Sequence, residues 1–288
     1  MPLPARNSIK ESPMKKRGTT IILLLVLIAG LSLLLYPTLA DWWNSMTQSR
    51  AVASYVEAVA NIDEEQYAHL WDDAWNYNRS LNARTNAYVL SQEQKENYNK
   101  LLDIGGLGIM GYVEVPSIGV VLPIYHGTDE TVLQIAVGHL EWTSLPVGGE
   151  SSHCVVSGHR GLPSARLFTD LDKVVVGDVF MFRVLDEVLT YEVDQILIVE
   201  PHETEALRIV EGEDLCTLIT CTPYGVNSHR LLVRGHRVEN QETAVAVRVT
   251  ANATQIEPAI VAPILAIPML LVLLIGLLIP KRKKRRFD

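Results

Sequence analysis

Nowhere in the chain do two cysteines stand in a Cys-x-x-Cys pair; the three present are Cys154, Cys216 and Cys221. A thiolate metal site or a dithiol redox centre needs paired spacing of that kind, so no metal and no cofactor are expected. An odd count leaves at least one thiol free or bridged to another chain. Basic residues are scarce away from the two ends. The segments up to Arg17 and from Lys281 onward hold 11 of the 25 Lys and Arg residues and 2 of the 33 acidic ones, leaving 14 basic against 31 acidic residues between them, a net of −17. A domain of that sign has no electrostatic footprint for nucleic acid and suits basic or lysine-bearing partners.

Long apolar runs are confined to the ends. Ile21 to Leu35 follows Lys15, Lys16 and Arg17, and Ala259 to Pro280 precedes six consecutive basic residues, Lys281 to Arg286. Each is near the roughly 17 to 25 residues that cross a bilayer, the first only if Gly18 to Thr20 and Tyr36 to Ala40 are counted. Basic flanks stay in the cytoplasm, so both termini are expected inside and the middle of the chain outside the cell membrane. The expected division is a basic tail (1–17), a transmembrane helix or signal anchor (18–40), a helical arm with a lid-like connection (41–109), a β-rich domain (110–257), a second transmembrane helix (258–280) and a basic tail (281–288). Two competing readings stay open. Thr38-Leu39-Ala40 would also end a cleaved signal peptide, and the second run would also suit a buried core helix, although that leaves its basic tail unexplained.

In the arm, Ala51, Val52, Tyr55, Val56, Val59 and Ile62 recur at helical spacing in a stretch without Gly or Pro. A second stripe runs through Tyr67, Leu70, Trp71, Ala74, Trp75, Asn78 and Leu81, and both predict helices packed on the domain that follows. Residues 82–109 read as an irregular connection. From Met110 the pattern becomes β. Strands are predicted near Gly111 to Val115, Ile118 to Ile124, Thr131 to Gly138, His153 to Ser157, Val179 to Val184, Leu189 to Val199, Leu215 to Cys221, Leu231 to Val238 and Ala244 to Thr250. Short strands with frequent turn signals argue for a barrel or sandwich.

Cys221 ends one such strand, just before Thr222-Pro223-Tyr224-Gly225, which places its sulfur at a rim; Cys154 and Cys216 read as small buried hydrophobes. A thiol becomes a nucleophile beside a base or a cation. His159, in Ser157-Gly158-His159-Arg160-Gly161, also follows a strand end, and its glycines leave the imidazole exposed. His229 and His236 are its rivals. Arg230 and Arg234 share one face of the last strand by the two-residue period, with Arg237 close by, so spacing alone does not choose the cation.

The run from Thr217 to Arg237, Thr-Leu-Ile-Thr-Cys-Thr-Pro-Tyr-Gly-Val-Asn-Ser-His-Arg-Leu-Leu-Val-Arg-Gly-His-Arg, together with Ser-Gly-His-Arg-Gly at 157 to 161, resembles the sortases, specifically the class C, pilus-polymerising group. The resemblance extends over nearly the whole chain. It implies a mainly β fold, a closed eight-stranded sortase-type barrel with an N-terminal helical arm and a transmembrane helix at each end. It implies a catalytic triad of His159, Cys221 and Arg230. The implied activity is cleavage of a sorting signal similar to Leu-Pro-x-Thr-Gly after its Thr, with transfer of the acyl group to a lysine of another pilin subunit. Class C enzymes commonly carry a lid with an Asp-Pro-aromatic motif before the barrel. Here Arg84 to Lys100 has no such motif and Asp41-Trp42-Trp43 lacks the proline, so a weak or absent lid is expected. Other readings are a housekeeping sortase acting on the cell-wall precursor, a cysteine protease or hydrolase, and a non-catalytic pilus-associated module.

Overall fold

The computed structural model describes residues 13–81 and 90–240, with side chains from Thr20. The strand expected at Ala244 to Thr250, the second apolar run and residues 82–89 of the lid-like connection lie outside the described residues. The chain divides into an N-terminal unit that ends at Leu39 and a second unit that starts at Ala40.

Helix α1 runs unbroken over Pro13–Ala60. In the N-terminal unit most of its described side chains, Ile21, Leu23, Val26 and Leu33 among them, are exposed, and Leu24, Leu27, Leu31 and Leu35 are half-buried. Among the described residues it is the one helix long and apolar enough to cross a membrane. The sequence reading separates an anchor from an arm helix beginning near Asn44. No break exists, because nothing between Pro37 and Ala60 stops a helix.

In the second unit, Asp63 interrupts the helical path and starts α2 (Glu64–Leu81). Its Oδ1 accepts from the backbone N–H of Gln66 at 2.7 Å, and Glu64 and Glu65 occupy the positive end of the new helix. The two helices lie on the barrel as expected. The Tyr55 hydroxyl, fully buried, donates to Met110 O and accepts from Leu185 N, while the Asn78 amide pairs both ways with the backbone of Leu145. The connection expected to be irregular contains a further helix, α3 (Gln92–Tyr98). Ser91 and Gln94 form a reciprocal capping box, and buried Tyr98 packs on His126 and His139.

Eight strands follow: β1 (Ile109–Val115), β2 (Val120–His126), β3 (Val137–His139), β4 (Ser152–Ser157), β5 (Val179–Val184), β6 (Glu187–Val199), β7 (Asp214–Thr222) and β8 (His229–Val238). They close in the order β1-β2-β3-β4-β7-β8-β6-β5. The barrel is filled by residues such as Phe180, Phe182, Tyr191 and Leu218, three of whose rings stack or meet edge to face. One expected strand is corrected. Thr131 to Gly138 opens as the one-turn helix α4 (Glu130–Leu133), with only Val137 and Gly138 in β3. Val132 and Leu133 are adjacent rather than alternating, and Glu130 bonds Gln134 one turn on, which favours a helical turn.

Candidate active site

Most neighbouring strands are antiparallel, but β4 and β7 pair in parallel, with Ser157 opposite Ile219. Parallel pairing brings the C-terminal ends of both strands to one rim, so the residues just past β4 lie level with the end of β7. The Gly158 N–H donates to Ile219 O at 3.0 Å, and the Thr220 hydroxyl donates to Gly158 O at 2.8 Å. His159 follows at once, two residues past the Ser157–Ile219 pair, at the rim where β7 carries Cys221. Strand β8 is antiparallel to β7, so its first residues return to the same rim, where Cys221 and Arg230 are direct partners. The three residues therefore meet at one end of the barrel.

Directly opposed residues of two strands share a face. Below Cys221 and Arg230 on that face come Ile219 and Leu232, also partners, which form a second apolar cluster with Val155 and Leu207, edged by Leu197 and Val199. The rim residues thus sit at the head of an apolar shelf on the outer face of the barrel wall, its centre buried and its edge at Leu197 and Val199 partly exposed. Cys221 is half-buried, whereas Cys154 and Cys216, partners across β4 and β7, are buried as expected.

The glycines around His159 have specific tasks. A Cβ on Gly158 would come within 2.7 Å of the Phe168 ring and 2.9 Å of Val137. Gly161 has φ +75° and lies against Tyr224, whose ring would be 2.9 Å from an added Cβ. The His159 carbonyl accepts from Phe168 N at 3.1 Å, closing the loop between them. Its Nε2 is shut off from solvent without a hydrogen bond, and Glu130 Oε2 on α4 stands 3.9 Å away. Next to it, the Arg160 guanidinium binds the Asp172 carboxylate, donates to Thr222 Oγ1 at 3.3 Å and lies 5.9 Å from the centre of the Tyr224 ring. It braces the histidine loop against the residue after Cys221.

The three arginines differ in their neighbours. Arg234 lies four residues along β8, about 13 Å from the rim, and donates from Nε and Nη2 to the two oxygens of Asp194 at 3.0 and 2.8 Å. Arg237 stacks on Tyr191 and bonds Val188 O. Arg230 donates only to the carbonyls of Asn227 and His229, at 3.3 and 3.1 Å, and no carboxylate among the described residues pairs with it. The rival histidines separate as well. His236 is partnered with Leu215, about 20 Å down the strand from Cys221, and His229 pairs with Thr222, on the opposite face by parity.

Residues 113–238 match the model of the sortase domain. The crystal structure of sortase C1 from Streptococcus agalactiae is 49% identical; the match covers 67% of this chain and all of that one, with a TM-score of 0.65. The chain belongs to the sortase family. It groups with the class C members of this family of cysteine transpeptidases, since the solved sortase C of Streptococcus pneumoniae is also 44% identical, with 66% of this chain and 97% of that one covered and a TM-score of 0.61. Sortase D of Bacillus subtilis is 30% identical over 131 residues, 44% of this chain and 63% of the relative, so the chain spans less than two thirds of that curated protein. Three contributors to this sortase's rim are not singled out by a motif: Glu130, Asp172, which pairs with the Arg160 of the histidine motif, and the shelf under Cys221. The shelf alone leaves a trace in the sequence, as the alternation of Ile219 with Cys221 and of Arg230 with Leu232.

Proposed function

We propose that this sortase cuts an LPxTG-like sorting signal after its Thr and joins the new carbonyl end to a lysine amine of another pilin subunit, with Cys221 as nucleophile, His159 as acid and base, and Arg230 as oxyanion donor. The reading is supported by the pairing of Cys221 with Arg230 across β7 and β8, and by the parallel register of β4 with β7, which carries the segment just past Ser157, His159 included, to the same rim. The solved S. pneumoniae relative is described with a pilin substrate.

The chemistry follows from these placements. The sulfur of Cys221 adds to the Thr carbonyl, and the guanidinium of Arg230, unengaged by any described carboxylate, stabilises the oxyanion; loss of such a donor costs roughly 3 to 4 kcal/mol. The C–N bond to Gly breaks as His159 gives a proton to the leaving amine. A thioester remains. The lysine Nζ then attacks it, His159 takes the proton of the incoming amine, the C–S bond breaks and the thiol is restored. The apolar residues of the signal lie against the partly exposed edge of that shelf, Leu197 and Val199, its centre of Val155, Ile219 and Leu232 being buried. Water competes with lysine for the thioester, so covering this shelf with substrate also protects the intermediate.

The apolar helix at the N-terminus supports attachment to the cell membrane. With the second run at 258–280 and basic residues beyond both runs, the proposed topology is two spans with the barrel outside the cell, where pilin subunits are met before release. The test uses the full chain in detergent with pilin subunits, read by mass spectrometry. A Thr-to-Lys isopeptide between two subunits is expected; a free Thr carboxylate as the sole product would make it a hydrolase.

A further inference from the structure

Three polar residues of α1 reach the backbone on both sides of His159. Asp41 Oδ1 accepts from Arg166 N at 2.8 Å, Asn44 Nδ2 donates to Ser164 O at 2.7 Å, and Gln48 Nε2 donates to Ile135 O at 2.8 Å. The first two contacts fall within the loop that leaves His159 and is closed by Phe168. The third falls just after α4, the helix that presents Glu130 to the imidazole. Positions 41, 44 and 48 are spaced i, i+3, i+7 and lie on one face of a helix. From residue 41 to residue 50 these three are half-buried and every other residue is exposed, Trp42 and Trp43 included. All three contacts are side chain to backbone, so they fix where the loops run, whatever side chains those loops carry.

We propose that Asp41, Asn44 and Gln48 are positioning residues for the transfer reaction, a polar clamp on α1 that holds the His159 loop and the Glu130 turn in register. None of the three touches the reacting atoms. They act through the imidazole, whose Nε2 has no hydrogen bond to hold it and whose orientation therefore depends on the backbone that carries it. The sequence lacks the Asp-Pro-aromatic lid motif of its class, and here Asp41 of Asp41-Trp42-Trp43 is engaged with the histidine loop instead. The inference rests on the assignment of His159 made above.

The test compares the full chain in detergent with the triple variant Asp41→Ala/Asn44→Ala/Gln48→Ala, each single variant, and Asp41→Asn, which keeps an oxygen acceptor toward Arg166. Misplacement of a catalytic group by about 1 Å costs on the order of 100-fold in rate. The triple variant is expected to lose about 10- to 100-fold in kcat for transfer of a sorting peptide, with KM unchanged because the shelf is untouched, and Asp41→Asn is expected to retain the parent rate. Thermal unfolding followed in parallel keeps the outcome clear. Transfer by the triple variant at the parent rate, a rise in KM with kcat unchanged, or loss of the folded barrel in every single variant would overturn the clamp. Cys221→Ala and His159→Ala are run beside them. If those two retained transfer, the assignment of the triad would fail; if they abolish it and the clamp variants do not slow it, only the clamp fails.

Discussion

Arg234 and Asp194 face each other across β8 and β6 in a two-pronged ion pair, Nε to one oxygen and Nη2 to the other, both ends about three-quarters buried. A guanidinium held in that way is unavailable for chemistry. Arg230, at the rim, meets the carbonyls of Asn227 and His229 and no carboxylate among the described residues. The two arginines should therefore respond differently to the same conservative change. Arg230→Lys keeps the charge and loses the planar fork, and it is expected to slow transfer of a sorting peptide by about 100- to 1,000-fold. Arg234→Lys is expected to leave the rate within about twofold and to lower the stability by about 1 kcal/mol. Steady-state kinetics and urea unfolding of both variants check this; an unaltered rate in Arg230→Lys would remove its oxyanion role.

Cys221 is half-buried at the rim, and the region where class C lids lie has no Asp-Pro-aromatic motif. Its thiol is expected to react with a small alkylating reagent with no prior activation, at a rate that replacing residues 82–89 by a short Gly/Ser linker, which leaves α3 and β1 intact, does not change. Time-resolved intact-mass measurement follows the modification. A thiol inert until that segment is replaced would show that another side chain of the segment plugs the cleft.

Gly158 has Phe168 and Val137 where a β-carbon would stand. Gly158→Ala forces one of these buried neighbours aside, a change of the overpacking kind that costs about 1 to 3 kcal/mol. Because His159 is the next residue, the activity is expected to fall further than the stability explains. Comparing kcat at a temperature well below both unfolding midpoints separates the two effects.

Acid should destabilise the barrel. Burial holds the imidazoles of His126 and His153 below their ordinary value, against the opposing pull of the carbonyls each one meets: Leu101 and Gly108 for His126, and Arg208 for His153. A group depressed in this way binds fewer protons folded than unfolded. Its contribution is complete above the ordinary imidazole value of about 6.5 and is lost as the pH falls from there through the folded value. The thermal midpoint is expected to drop between pH 7.5 and 5.5, and His153→Gln to flatten that drop. A midpoint constant over this range in the parent protein would refute it.

The strands are legible in the sequence because β-branched and apolar residues alternate between turn signals, as in Thr217 to Cys221, and a buried cysteine such as Cys216 continues that pattern as a small hydrophobe. The one-turn α4 is not, since four residues are too few for a helical period to show against a β-like composition. Cys221 and His159 stand out at strand ends flanked by glycine or proline. The choice of Arg230 over Arg234 is not readable from spacing, because parity puts both on one face and Asp194 lies 40 residues away, brought in only by the pairing of β6 with β8. The contacts of Asp41, Asn44 and Gln48 span 125, 120 and 87 residues. Their one local trace is the helical spacing of three polar residues.

The burial of Cys154 and Cys216 has a practical side. With two of its three sulfurs sealed in the interior, the native protein offers a single attachment point for a thiol-directed dye or spin label, and that point is the rim itself. The unmutated chain can therefore report directly on whether anything sits over residue 221.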